Sequence, residues 1–391
     1  MIKKNKGYVE KKINGTMVLI PKGQLIADHT RYIELNKAAE RIFDLVDGES
    51  EREDIIKKIM DGYGEAAPCT AGEDTVNFLN ELIDIGVLEE SSQKSKHPAK
   101  ILKIAGILVR LYGNNKAFSD EFDNFLADET DHESKESILD IIVKEGKSPV
   151  YNEKKCLLKN DLLEVWKIFE GYLVCFPDSY GINGLVIYHD GERAVFYTGN
   201  VYDDGLRYDL FHGIRIPFLF LAERFGAYAI HSASILYGDK AYLFSASSGT
   251  GKSTHAAIWK RLFGVSYING DLNLVSISDG SPVVYGMPWC GTSGICDNKE
   301  HILGGLIFLK RGNVNEFIKI SDKEKILRAG QRVISPLWER DMVDGLYDVL
   351  GEMIPGVFCG ILRCNMDDGA GIICKNEVDK YVIKNDKSIL R

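Results

Sequence analysis

The stretch AYLFSASSGTGKSTHAAIWKRLFGVSYINGD, Ala241 to Asp271, decides how the rest of the chain is read. It divides into strand, loop, helix and strand. Tyr242, Leu243 and Phe244 form a short apolar strand. Ala246-Ser-Ser-Gly-Thr-Gly-Lys252-Ser253 follows the spacing of a phosphate-binding loop, with Ala where that pattern opens on Gly. Thr254 to Leu262 reads as a helix, and Val265 to Ile268 as a second strand ending in Asn269-Gly270-Asp271. Gly249 and Gly251 let successive backbone N–H groups turn inward on phosphate oxygens. The start of the helix adds the positive end of its dipole. Ser247, Ser248, Gly249, Thr250, Gly251, Lys252, Ser253 and Thr254 are therefore the expected nucleotide contacts. Lys252 can reach the outer phosphates of ATP, and the Ser253 hydroxyl is suited to Mg²⁺. Asp271, the second expected metal ligand, should emerge at the carboxyl end of the neighbouring strand, where open α/β sheets bind ligands.

Composition sets the frame. A chain of 391 residues with 45% hydrophobic and 27% charged content suits two soluble domains. A net charge of −9 argues against nucleic acid or an anionic membrane as partner. The apolar runs Ile216 to Ala222 and Ile302 to Leu309 are too short to span a bilayer. The basic start MIKKNKGYVEKK lacks the apolar segment of a signal peptide, so a cytoplasmic protein is expected. Eight cysteines, at positions 69, 156, 175, 290, 296, 359, 364 and 374, show no metal-ligand spacing and read as scattered reduced thiols.

Residues 1–90 form the first predicted unit. Tyr8 to Ile13 and Thr16 to Ile20 are strands about the hairpin dipeptide Asn14-Gly15. Arg31 to Leu35 is a third strand. Helices follow over Lys37–Val46, Glu51–Tyr63 and Glu73–Ile85, the last stopping at Gly86. Three strands and three helices suggest a winged-helix-like module. Its third helix carries Glu73, Asp74, Glu81 and Asp84 and no Lys or Arg, which opposes DNA binding.

Ile13-Asn-Gly-Thr-Met-Val-Leu-Ile-Pro21, Ile33-Glu-Leu-Asn36 through Leu45, and Phe78-Leu-Asn-Glu-Leu-Ile-Asp-Ile-Gly-Val-Leu88 resemble the PqqD-type peptide-recognition domain. The resemblance implies that the module binds the leader of a ribosomally made precursor peptide, added as a strand beside the third strand and packed on the third helix. Tyr32, Ile33, Glu34 and Leu35 are then the peptide-binding residues. The same edge could instead face solvent or serve a homo-oligomer.

Residues 91–100 read as a polar linker. Beyond it, Ile101 to Leu111 is one strand or two joined at Gly106. Strands are expected at Tyr172–Phe176, Gly184–Tyr188 and Arg193–Tyr197, with a helix over Leu162–Tyr172 and another over Tyr208–Phe225 that contains Pro217. This region is expected to build an antiparallel sheet flanking the nucleotide site.

His231-Ser-Ala-Ser-Ile235, the Ala246–Ser253 loop and Tyr267-Ile-Asn-Gly-Asp271 resemble the HPr kinase/phosphorylase family and its smaller relatives that phosphorylate a Ser in peptide natural-product precursors. The resemblance implies that His231 lies beside phosphate and acceptor, and that Asp271 takes the acceptor's proton and helps hold metal. Catalytic roles thus fall on Asp271, His231 and Lys252. Two departures stand out. The family carries two consecutive Asp residues where this chain has Gly270-Asp271, and Thr254 stands where the bifunctional enzymes have Glu. Tyr285-Gly-Met-Pro-Trp289-Cys-Gly291 resembles a loop of the peptide-kinase relatives, with Thr292 where many have Lys. It makes Trp289 a candidate peptide contact, or else a core filler beneath a tight turn.

The expected fold is therefore α+β in two domains. A winged-helix-like N-terminal module joins a P-loop α/β kinase domain of HPr-kinase type, residues 101–391, with extra antiparallel β-structure. The expected function is an ATP- and Mg²⁺-dependent kinase acting on a Ser or Thr of a precursor peptide. The alternatives are an inactive nucleotide-binding partner that presents the leader to other peptide-modifying enzymes, and a small-molecule hydroxyl kinase.

Overall fold

The computed structural model describes residues 2–23, 25, 31–48, 50, 52–63, 71–90, 97–128, 138–151, 154–169, 171–179, 181–247, 249–365 and 367–389. Asn14 and Gly15 both take positive φ, 49° and 84°, so the first hairpin closes in a two-residue turn of the twist that antiparallel strands favour. It joins β2 (Tyr8–Ile13) to β3 (Thr16–Pro21), and β4 (Ile33–Leu35) adds antiparallel to β3. Among the described residues, no strand pairs with the far side of β4, which forms an edge of this three-stranded sheet. Asn36 follows and caps α1 (Lys37–Asp44), its side chain accepting the Ala39 amide at 2.8 Å. The helices α2 (Arg52–Tyr63) and α3 (Ala71–Asp84) complete the module, and α3 ends at Gly86 with φ 75°. Leu19, Leu35, Phe43, Ile55, Ile59, Leu79 and Leu82 fill its core. Two short strands were not foreseen. The opening β1 (Ile2–Lys4) pairs antiparallel with β5 (Leu88–Glu90), fastening the two ends of the module together.

An eight-stranded sheet follows, in the order β6 (Lys100–Ile104), β7 (Ile107–Tyr112), β8 (Ile138–Glu145), β13 (Arg193–Thr198), β12 (Ile182–Tyr188), β11 (Gly171–Cys175), β10 (Glu164–Ile168) and β9 (Lys155–Lys159). The break at Gly106 is a turn, with Ala105 and Gly106 both at positive φ. Two expectations are corrected here. The sheet is mixed, since β8 runs parallel to both β7 and β13. Residues Leu162–Tyr172 form strand β10 and the start of β11, not a helix. Val165 and Ile168 sit three apart and are both buried, which imitates a helical stripe. They lie on opposite faces of a sheet covered on both sides, Val165 in the large core and Ile168 in a smaller outer one.

The long helix α4 (Asp204–Glu223), with Pro217 inside it, lies between this sheet and a second one. Its residues Leu210, Phe211, Ile214 and Phe218 share one core with Leu139 and Phe196 of the first sheet and with Leu272, Leu274 and Trp289 from the second. The second sheet holds β14 (Tyr228–Tyr237), β15 (Lys240–Ser245), β16 (Ser266–Asn269), β17 (Leu272–Ser278), β18 (Ser281–Gly286), β19 (Glu300–Arg311), β20 (Glu316–Lys319) and β21 (Phe358–Cys364). Pairing of β15 with β19 closes β14, β17, β18, β19 and β15 into a ring. The helices α6 (Asp322–Gly330) and α7 (Arg340–Met353) contribute to one core of this sheet. The helices α5 (Lys252–Phe263) and α8 (Asp368–Ile389) contribute to another.

The module is joined to the first sheet through the end of α3. Asp84, 5% exposed at its side chain, receives Lys144 Nζ at 2.7 Å and Arg193 Nη2 at 3.4 Å on Oδ1, and the Tyr197 hydroxyl on Oδ2. Its carbonyl accepts from Tyr188, and the Lys147 amide donates to Asn77 Oδ1 at 2.9 Å. Among the described residues, no helix is long and apolar enough to cross a membrane.

Candidate functional site

The loop between β15 and α5 begins on Ala246, which is 1% exposed and takes ordinary negative φ. Nothing in the backbone demands Gly there. Gly249 and Gly251 do occupy the left-handed region, at φ 70° and 106°. Gly251 is the N-cap of α5 and supplies no side chain, so the first-turn amides of this helix point out of the loop without a capping group. The Arg311 guanidinium binds the Gly249 carbonyl, and Arg332 Nη1 lies 3.4 Å from Ser247 Oγ. Lys252, 9% exposed, stands on the first residue of the helix. Burial lowers its pKa, and the nearby Asp271 charge opposes that shift. Ser253 and Thr254 are exposed at the same end, while Ser248 lies outside the described residues.

Asp271 does reach the carboxyl end of a strand parallel to β15, but not of its neighbour. β14 runs antiparallel between β15 and β16. That intervening strand carries His231, whose Nε2 donates to Asp271 Oδ1 at 3.0 Å. The His231 hydrogen bond, and secondarily the charges of His231, Lys252 and Arg215, hold the Asp271 carboxyl below the usual carboxylate range against the effect of burial. The main chain fixes the same pair. His231 N donates to Arg332 O at 2.9 Å, and Ser232 N donates to Asp271 O at 2.9 Å.

Residues given no role in the sequence reading hold the turn. Asn269 is fully buried. Its Oδ1 accepts the Asp271 and Leu272 amides at 2.9 and 3.1 Å, and its Nδ2 donates to Met287 O at 2.7 Å. Asn273 Nδ2 donates to Ser232 O at 2.7 Å, locking β17 to β14. The signal lay in the polar alternation of Asn269, Asp271 and Asn273 within otherwise apolar strands.

The loop after β18 covers the other side of Asp271. A Cβ at Gly291, which has φ 61°, would come within 3.0 Å of the Asp271 Cβ. A Cβ at Gly270 would meet Ser293 Cβ at 2.6 Å and Cys290 O at 2.9 Å, so the loop fills the space a second Asp would need. Trp289 is turned away from this surface. It is 2% exposed, rests on Phe211 and Phe218 of α4, and donates from Nε1 to Phe211 O at 2.7 Å. Its place corrects the expectation of a peptide contact: the indole fills the core and fixes the loop. At the module, Tyr32 is 62% exposed beside the free edge of β4, whereas Leu35, at 3%, belongs to the core.

Comparisons with known proteins fall into two parts. Residues 16–88 match the family model described as Coenzyme PQQ synthesis protein D (PqqD), placing a PqqD domain in the module. Among solved structures, "TbiB1 in Complex with the TbiA(beta) Leader Peptide" is 23% identical, covering 23% of this chain and 98% of that one with a TM-score of 0.19. The Hpr(Ser) kinase/phosphatase from Coxiella burnetii is 10% identical, covering 40% of this chain and 98% of that one with a TM-score of 0.24. No curated protein matches the chain.

Proposed function

We propose that the chain is a two-domain, ATP-dependent kinase that phosphorylates a Ser or Thr hydroxyl of a ribosomally made precursor peptide whose leader docks on the β4 edge. One observation carries this reading: the uncapped start of α5, with Lys252 on its first residue, lies within electrostatic reach of the hydrogen-bonded His231–Asp271 pair. The helix end suits phosphate, and the pair suits a hydroxyl. The site's donors, the Ser253 hydroxyl and the second oxygen of Asp271, are hard oxygens of the kind Mg²⁺ takes together with substrate phosphates and water. Bound there, Mg²⁺ would neutralise charge on the phosphates.

In the proposed reaction the acceptor hydroxyl oxygen attacks the γ-phosphorus, and the bond from that phosphorus to the bridging oxygen breaks. ADP departs with the electron pair. The hydroxyl proton passes to Asp271, whose other oxygen His231 holds. Because Asp271 is held below the usual carboxylate range, it is a weak base. Its main work is to orient the hydroxyl and receive the proton late, as a loose transition state requires. Of the two departures that would suit an inactive partner, Ala246 needs no positive φ and so leaves the phosphate-binding loop intact, while Gly270, packed under the loop after β18, leaves Asp271 as the sole carboxylate of the turn.

The test is ATP binding by wild type and Lys252→Ala, followed by transfer of label from ATP to free serine, a core peptide and the full precursor. Lys252→Ala should weaken ATP by about tenfold or more, consistent with one lost charge-assisted contact of about 1.4 kcal/mol or more. Equal affinity in the two proteins, or none in either, defeats the nucleotide reading. Label on serine alone defeats the peptide reading, and bound ATP with no transfer favours the inactive partner.

A further inference from the structure

Arg215 lies in the middle of α4 and is partly buried. Among the described residues it makes no hydrogen bond or ion pair within 4 Å. A guanidinium carries five N–H donors and is poorly placed away from water without an anion to receive them. Its neighbours on the same helix face fix where it stands. Phe211 and Phe218, one turn to either side, lie with ring centroids 6.2 and 5.5 Å from Trp289, and the Phe211 carbonyl binds the Trp289 indole. Two residues beyond Trp289, Gly291 packs on Asp271. The face of α4 that bears Arg215 is thus pinned to the loop beside the site, and its charge is felt at Asp271.

The charges around Asp271 fall into two groups. Arg332, which reaches Ser247 of the loop, acts on Lys252 on the side of the α5 N-terminus. Arg215 and Asp271 act on one another, and both act on His212, without a resolved effect of Arg215 on Lys252. Asp271, already bonded to His231, is the carboxylate that both groups share, while Asp209 faces His212, whose imidazole burial and Arg215 keep from charging. This arrangement leaves the Arg215 guanidinium without a bonded anion on the side away from the phosphate-binding loop. We infer that Arg215 is a phosphate-contacting residue of this site, receiving the transferring phosphoryl group on the acceptor side of Asp271. The inference rests on the proposed kinase reading and adds to it a residue from a helix outside the motif. The planar fork suits two oxygens of a phosphoryl group at once, which a lysine cannot match.

The experiment needs no peptide. The full chain is titrated with ADP and Mg²⁺, then with ADP, Mg²⁺ and aluminium fluoride, whose complex imitates the phosphoryl group in flight. Wild type should bind ADP about tenfold or more tighter with fluoroaluminate present, as transition-state mimics do. Arg215→Gln should bind ADP alone within about twofold of wild type and lose that gain, while Arg215→Lys keeps part of it. Retention of the full gain by Arg215→Gln overturns the inference. So does weakening of ADP alone by as much as the fluoroaluminate complex, the mark of a structural role. No gain in wild type that still binds ADP overturns this inference and leaves nucleotide binding standing. No ADP binding by wild type overturns the proposed function as well. Should Arg215→Gln fail to fold by thermal melting, Arg215→Lys decides: an unchanged gain overturns the inference, and a loss of about threefold or more upholds it.

Discussion

Gly270 shows how one residue's freedom is set by its surroundings. An aspartate there would have to displace Ser293 and the Cys290 carbonyl. Gly270→Asp is therefore expected to destabilise the protein by about 1–3 kcal/mol through overpacking, and to lower activity instead of supplying a second acidic group. Thermal melting and turnover together check this, and a stable, faster variant would contradict it. Glu223, the last residue of α4, gives a pH-dependent counterpart. Burial, then repulsion from Asp341, pushes its carboxyl up to about 7, and its Oε2 lacks a hydrogen-bond partner among the described residues. The folded state therefore binds its proton more tightly than the unfolded chain. Stability is lost as pH rises from the ordinary glutamate range through about 7. Glu223→Gln should raise the melting temperature at pH 8 and make no difference near pH 4, so equal gains at both would remove the carboxyl's charge as the cause.

Turns and strand–helix junctions were legible because short-range chemistry dictates them. Asn14-Gly15 closes its hairpin where the dipeptide stands, and the loop from Ala246 leads from β15 straight into α5. What could not be read was set by contacts distant in sequence. The helix mistaken over Leu162–Tyr172 arose because both faces of β10 are covered. The placing of β14 between β15 and β16 follows from a β14–β15 hairpin and a later antiparallel pairing that no local pattern announces. The same distance hid the role of Asn269, whose Nδ2 binds Met287 O beyond β18, and the approach of Arg215 on α4 to Asp271. At the β4 edge, exposure separates the residues that can be tested: Leu35 holds the module core, whereas Tyr32 stands 62% exposed. If the leader adds along this edge, Tyr32→Ala should raise KM for the full precursor about fivefold or more, as the loss of an exposed aromatic anchor does. It should leave a leaderless core peptide unaffected. An equal change for both substrates would move the docking site elsewhere.

At the scale of the whole molecule, the proposed function asks two sites to serve one flexible substrate. A leader held by the module would supply the acceptor at an effective concentration fixed by the geometry between β4 and Asp271. That geometry depends on how firmly the module sits. Asp84 anchors the end of α3 in a pocket of Lys144, Arg193 and Tyr197, and Arg31, just before β4, lies 5.6 Å over the ring of Phe169 in the β10–β11 hairpin. Asp84 is 5% exposed at its side chain, so its removal leaves the half-buried Lys144 and Arg193 cations and the buried Tyr197 hydroxyl facing one another. Loss of one member of a buried pair typically costs about 3–5 kcal/mol, enough to separate the melting of the module from that of the rest. Asp84→Ala should therefore show two thermal transitions where wild type shows one, and greater cleavage by protease within residues 91–100. The proposed catalytic elements lie elsewhere, so on that reading a truncated core peptide should be phosphorylated at the wild-type rate. The full precursor should lose about tenfold in kcat/KM, the equivalent of about 1.4 kcal/mol of tethering. Equal losses on both peptides would mean that Asp84 supports the site itself. An unchanged rate on the full precursor, in a variant whose module melts apart, would mean that the leader works as a loose tether and needs no fixed seat.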